Sequence, residues 1–322
     1  MVCFVRGRFL SAATRATGQS GNVGFIGIGN MGSRMAMNIL KAQKKEGSGK
    51  KLYVFDKFNG SEGYKALVSA GAVHVESLAN SMLPHCDVFI SMVPSSTHVE
   101  ELYRTSVLPA LAKRTKPAVL IECSTIDPNV SQQLNEEVRS LGHVMVDAPV
   151  SGGIKGAENG TLTFMVGSYL PESEFSSLLL PHFAPMGRAI YCGAPGQGLS
   201  IKICNNLILG AQMLGVAEGY RLASRLGVNM KKFNEIVNKS TGQSWTSEKY
   251  NPVPGLMEDV PSARGYANGF MTDLMIKDLR LAKSASNCEL PVTDFAVSEY
   301  SKISQQGKGH LDFGFCYKMY DS

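Results

Sequence analysis

Gly27, Gly29 and Gly32 form a G-x-G-x-x-G placed straight after the apolar run Val23–Ile28 and ahead of an apolar helical pattern (Met35, Met37, Ile39, Leu40). In a strand–turn–helix context this spacing suits one task, the holding of a pyrophosphate. Gly27 permits a tight turn, Gly29 lets the backbone approach the phosphates, and Gly32 lets helix and strand pack closely. Asn30 and Met31 fill the motif at the helix start, where backbone N–H groups and the positive dipole end face an anion. With 33 glycines in the chain, the motif alone also fits a Gly-rich turn of an unrelated α/β sheet. Its flanks turn the reading towards a nicotinamide or flavin dinucleotide site.

Asp56 ends the next apolar run, Leu52–Phe55. An acid there accepts hydrogen bonds from the adenosine ribose hydroxyls and favours NAD over NADP. It stands further from the glycines than the usual ~20 residues, and the polar tract Lys41–Lys51 reads as a lengthened loop that supplies the excess. Lys57 is a complication, because a base there can accept a 2′-phosphate. Val93-Pro94-Ser95 and Cys123-Ser124-Thr125 each follow an apolar run, so they fall at carboxyl ends of strands, where open α/β sheets bind ligands. Ordinary strand-to-helix turns look the same. Asp147-Ala-Pro-Val-Ser151-Gly152-Gly153 offers bare backbone N–H groups that can surround a carboxylate, or else a glycine hairpin. Lys202 and Asn206 lie four apart in a long apolar helical pattern and so project from one face. Burial of an amine favours its neutral, proton-accepting form, which suits a base that takes a hydroxyl proton while hydride leaves carbon. A lysine snorkelling from a helix start is the plainer alternative.

Other dehydrogenase machinery is missing from the pattern. The seven cysteines are odd in number and none is at C-x-x-C spacing, so neither a zinc set nor a disulfide framework is expected. They read as reduced thiols, mostly core filler. Tyr53-x-x-x-Lys57 falls on a strand run rather than a helix. His98, after the Val-Pro-Ser-Ser turn, is placed to line the cofactor site, and the other five histidines read as surface or capping residues. No serine sits in a G-x-S-x-G elbow.

These residues need elements to position them. At 322 residues, 44% hydrophobic and 18% charged, the chain is globular and long enough for two domains. The net charge of +5 is too modest for a nucleic-acid footprint, and no apolar run reaches the ~18 residues of a membrane span. Residues 1–20 carry Arg6, Arg8 and Arg15, hydroxyls and no acid, as a mitochondrial transit peptide does. Strands are expected at Val23–Ile28, Leu52–Phe55, Val88–Met92, Ala118–Glu122 and Val144–Asp147, with Thr163–Val166 and Ala189–Tyr191 as extensions. Helices are expected between them, near 31–43 and 129–141. This alternation predicts a doubly wound, mainly parallel α/β sheet over 21–194. After the breaker-rich Gly193–Gly198, a helical domain is expected over 195–322, with helices at about 199–226, 230–239, 271–287 and 292–306.

Taken in order, Phe25–Gly32, Ser124-Thr-Ile-Asp-Pro128, Asp147–Gly153 and Lys202-Ile-Cys-Asn-Asn206 resemble the motifs of the β-hydroxyacid dehydrogenases, over residues 22 to about 315. The resemblance implies an N-terminal Rossmann domain, an all-α C-terminal domain, and NAD as cofactor. It implies Lys202 as general base, Asn206 holding substrate, and Ser151, Gly152 and Gly153 holding its carboxylate. Val93, Pro94, Thr125 and Lys277 would serve the cofactor. His98 departs from the asparagine usual there. The activity implied is oxidation of 3-hydroxyisobutyrate to methylmalonate semialdehyde, a step of valine breakdown, by a homodimer or homotetramer of the mitochondrial matrix with no nucleic-acid or membrane partner. The alternatives are an NADPH-dependent reductase of short semialdehydes and a non-catalytic dinucleotide-binding scaffold.

Overall fold

Residues buried on both faces of a sheet read as continuous apolar runs, and the central strands do. In the computed structural model, β1 (Val23–Ile26), β4 (Val88–Ser91), β5 (Val119–Glu122) and β6 (Val144–Asp147) are buried throughout, and β2 (Leu52–Phe55) alternates. Residues 21–285 and 288–320 are described, so the leader expected in residues 1–20 lies outside them. The strands pair in the order β3-β2-β1-β4-β5-β6, all parallel, with the short β3 at Val73–His74. β8 (Leu162–Gly167) then runs antiparallel to β6 and to β7 (Val150–Ser151), and β9 (Gly187–Gly193) pairs parallel with β8. The two late runs therefore extend the sheet in the reversed direction.

Helices α1 (Asn30–Glu46), α2 (Glu62–Ser69), α3 (Ser96–Leu102), α4 (Pro128–Ser140), α5 (Gly153–Asn159) and α6 (Glu172–Leu178) connect the strands. Two apolar cores flank the sheet, one around Phe25, Val54, Ile90 and Ile121, the other around Ile26, Phe89, Leu120 and Met145. The Lys41–Lys51 tract is not all loop. α1 continues through it to Glu46, with Lys44 and Lys45 in its last turn and Gly47 at φ 62° as the stop. Cations there complement the negative end of the helix, and an exposed polar face hides a helix from a search for apolar runs.

α7 (Gln197–Arg225) is the long helix, closed by Gly227 at φ 74°. Leu199, Lys202, Ile203, Asn206, Met213, Ala217 and Tyr220 form its buried stripe. By length and composition it is apolar enough to cross a membrane, as core helices of soluble proteins also are, although Asn205, Asn206 and Gln212 interrupt its apolar run. The chain divides into two units within α7, at Lys202/Ile203, later than the Gly193–Gly198 joint. In the second unit α7 is followed by α8 (Met230–Val237), α9 (Thr272–Ser284) and α10 (Pro291–Ile303), around a core of Met213, Tyr220, Met275, Leu279, Tyr300 and Phe313.

Candidate active site

The sheet order reverses between β1 and β4, where neighbouring connections leave in opposite directions and a crevice opens at the carboxyl ends. The glycine motif sits there. Gly27 has φ +88°, and a Cβ on it would lie 2.2 Å from the Met92 carbonyl oxygen. A Cβ on Gly32 would lie 2.0 Å from the Gly27 oxygen, whereas one on Gly29 would meet nothing within 4 Å. Two glycines are therefore fixed by packing and the third by an open space in front of it. Asn30 and Met31 begin α1, with Asn30 exposed. This arrangement fits a dinucleotide pyrophosphate.

Asp56 follows β2 and faces the same turn. Its Oδ2 accepts from the Ile28 N–H at 2.5 Å and its Oδ1 from the Phe58 N–H at 2.7 Å. Each oxygen keeps a further lone pair for a ribose hydroxyl. Lys57 pairs with Glu101 of α3 at 2.8 Å. Val93, Pro94 and Thr125 lie on the turns after β4 and β5, and the Val93 N–H donates to Ser124 Oγ at 2.7 Å. His98 is exposed on α3, its Nδ1 within 2.7 Å of Ser95 Oγ. His143 departs from the surface or capping role expected. It is buried, accepting from the Ala118 N–H at one ring nitrogen with the other 3.1 Å from the Leu111 carbonyl oxygen. Burial also lowers its pKa. Of the described cysteines, Cys86, Cys123 and Cys316 fill the core, while Cys204 and Cys288 are exposed.

The Ser151–Gly153 segment is less bare than its composition suggests. Ser151 pairs with Thr163 in β7, while Gly152 (φ +134°) and Gly153 (φ +63°) are exposed and open α5. Asp147, which precedes it, is fully buried. Its oxygens accept from the Gly196 N–H at 2.7 Å and the Leu199 N–H at 3.2 Å, joining β6 to the start of α7. Burial lifts its pKa to about 6 against the pull of those bonds. Lys202 follows one turn later and is 8% exposed.

Asn206 and Lys277 belong to the second unit, joined by a residue that the sequence did not single out. Asn206 is 1% exposed, and its Nδ2 donates to Asp278 Oδ2 at 2.6 Å. Lys277 Nζ lies 2.9 Å from Asp278 Oδ1. An acid among Met275, Ile276 and Leu279 on α9 was the available signal, since a buried carboxylate needs partners. Glu122 is the comparable case in the first unit, an acid closing the run Val-Leu-Ile.

A family model described as the NAD binding domain of 6-phosphogluconate dehydrogenase matches residues 22–193. A second, the NAD-binding of NADP-dependent 3-hydroxyisobutyrate dehydrogenase, matches 196–320. The chain is 40% identical over 316 residues to the mitochondrial 3-hydroxyisobutyrate dehydrogenase of Homo sapiens, covering 97% of this chain and 90% of that one. It is 41% identical over 304 residues to an NAD-dependent L-serine dehydrogenase of Pseudomonas aeruginosa, covering 93% and 97%. Among solved structures, the 3-hydroxyisobutyrate dehydrogenase of Mycobacterium tuberculosis with L-serine superposes with a TM-score of 0.81 at 31% identity, over 94% of this chain and all of that one.

Proposed function

Because the chain belongs to the 3-hydroxyisobutyrate dehydrogenase family, we propose that it oxidises 3-hydroxyisobutyrate to methylmalonate semialdehyde with NAD⁺, a step of valine breakdown in the mitochondrial matrix. The observation that carries this reading is Lys202, a buried amine one turn into a helix whose start is tied to the sheet by Asp147. NAD⁺, when bound, supplies the hydride acceptor.

The chain's own residues do the rest. Gly27, Gly29, Asn30, Met31 and Gly32 hold the pyrophosphate, and Asp56 takes the adenosine ribose hydroxyls. Lys57 is engaged by Glu101, which weakens any claim of a 2′-phosphate and supports NAD. Val93, Pro94, His98, Thr125 and Lys277 line the cofactor. Ser151, Gly152 and Gly153 hold the substrate carboxylate, and Asn206 positions its hydroxyl. Lys202, in its neutral form, removes the hydroxyl proton as the donor carbon gives up hydride. Exposed Ile201, Ile208 and Leu222 along α7, with Leu226 just past its end, support a homodimer or homotetramer. The acid-free residues 1–20 and the mitochondrial relatives support the matrix, although a bacterial relative matches at similar identity.

L-serine is a second reading, favoured by the Pseudomonas relative and the Mycobacterium structure. It too carries a primary hydroxyl β to a carboxylate. Initial rates with NAD⁺ and NADP⁺ on 3-hydroxyisobutyrate, L-serine and unbranched 3-hydroxy acids decide. The proposal expects the highest kcat/KM for 3-hydroxyisobutyrate with NAD⁺. A higher value for L-serine replaces the substrate assignment, and a preference for NADP⁺ overturns the cofactor choice.

A further inference from the structure

Glu122 closes β5 with no exposed surface and takes no part in hydride or proton transfer as proposed. Its Oε2 accepts from Ser91 Oγ at 2.6 Å, and its Oε1 from the Ser124 N–H at 2.8 Å. The Ser124 hydroxyl also bonds to Glu122 while accepting from the Val93 N–H at 2.7 Å. One carboxylate thus ties the end of β4 to the end of β5, and so holds the two turns that carry Val93–Pro94 and Thr125. The fingerprint turn packs against the same segment, since the space where Gly27 lacks a Cβ is filled by the Met92 carbonyl.

The groups around Glu122 are matched to an anion. Ser91 O–H, Ser124 N–H and Ser124 O–H are all donors, and a carboxylate is a pure acceptor. A protonated carboxyl brings a hydrogen of its own and has to displace one of them. Tyr103, from the segment after α3, and Cys123, next in the chain, face it as buried neutral groups. Asp147 is its register partner on β6, with its oxygens taken by Gly196 and Leu199. Among the described residues no cation pairs with Glu122. Burial is the largest influence on its acidity and outweighs the serine bonds, lifting its pKa to about 7.

We propose that Glu122 is a positioning residue for the dinucleotide: ionised, it holds the Val93–Pro94 and Ser124–Thr125 turns in their binding arrangement, and protonated, it loosens them. The inference rests on the cofactor reading given above. Its consequence is an NAD⁺ affinity that rises with pH across neutrality. The step is about fivefold, the equilibrium equivalent of one net hydrogen bond.

Titration calorimetry of the full chain with NAD⁺ at pH 6 and pH 8 tests it. Because pH 6 and pH 8 lie only one unit either side of 7, the wild type is expected to show about threefold of that step, binding more tightly at pH 8. Glu122→Gln, which holds an amide hydrogen at every pH, is expected to lose the step and bind at the weaker level throughout. Ser124→Ala cuts the link to Val93 while leaving Ser91 on the carboxylate, and is also expected to lose the step. It decides alone if Glu122→Gln fails to fold. Variants that keep the full wild-type step overturn the proposal. A wild type that binds NAD⁺ equally at both pH values overturns it while leaving the cofactor reading intact, and one that binds NAD⁺ at neither overturns both.

Discussion

Gly29→Ala and Gly32→Ala are chemically the same change three residues apart, and the structure gives them opposite outcomes. At Gly32 the new methyl would lie 2.0 Å from the Gly27 carbonyl oxygen, with Phe25 at 3.1 Å. That oxygen is backbone at the end of β1 and cannot swing aside, so α1 must move off the sheet. Overpacking of this kind costs about 1–3 kcal/mol or more, a fall in Tm of several degrees at ~2–4 °C per kcal/mol for a unit of this size. At Gly29 the methyl meets nothing within 4 Å, and the backbone at φ −76° is open to alanine. Two small effects then oppose each other. Alanine is a poorer N-cap than glycine by about 0.5–1 kcal/mol, and it removes a comparable 0.4–1 kcal/mol of unfolded-chain entropy. Stability should therefore stay within about 1 kcal/mol of wild type, while the methyl stands where the pyrophosphate has to come. NAD⁺ affinity is expected to fall at least tenfold, or about 1.4 kcal/mol. Thermal unfolding paired with NAD⁺ titration separates the two. A Gly29→Ala protein that binds NAD⁺ as wild type does would refute the placement of the pyrophosphate.

Three further expectations concern other parts of the chain. Glu122 has its folded pKa raised from 4.5 to about 7, so the folded state holds a proton that the unfolded state has lost between those values. Its contribution to stability is present below about pH 4.5 and lost as pH rises to 7. Melting curves should show Glu122→Gln gaining Tm over wild type at pH 8 and little at pH 5, and an equal gain at both contradicts this. Glu101→Gln frees Lys57, and the NADP⁺ to NAD⁺ ratio of kcat/KM should rise a few-fold, modestly because the pair is exposed. Tyr250→Phe strips one donor from the buried Asp312, which also accepts from the Phe270 and Gly314 N–H groups. Denaturation should show a loss of about 1–3 kcal/mol with NAD⁺ affinity unchanged.

The parallel strands were legible because burial on both faces writes itself as unbroken apolar runs, and the end of α7 because Gly227 takes a positive φ. β3 and β7, two residues each, leave no such period. α1 was cut short by its lysines, since a solvated helical turn and a polar loop share a composition. The glycine motif, Asp56, Lys202 and Asn206 stood out by type and spacing. What could not be read was who holds them. Asn206 and Asp278 are 72 residues apart in the chain and 2.6 Å apart at their side chains. Asp147 reaches Gly196 across 49 residues, and Glu122 reaches Ser91 across 31. Buried carboxylates among apolar neighbours hinted at such partners without naming them. His143 misled for the same reason, its two ring contacts lying 25 and 32 residues away.

The role of Lys202 as base is read most directly from Lys202→Ala, through kcat for 3-hydroxyisobutyrate with NAD⁺ alongside NAD⁺ titration of the same sample. A base at this position requires a fall in kcat of ~10²–10⁴-fold, the usual contribution of a positioned base, with NAD⁺ affinity close to wild type. A variant that binds NAD⁺ normally and turns over at near wild-type kcat contradicts it.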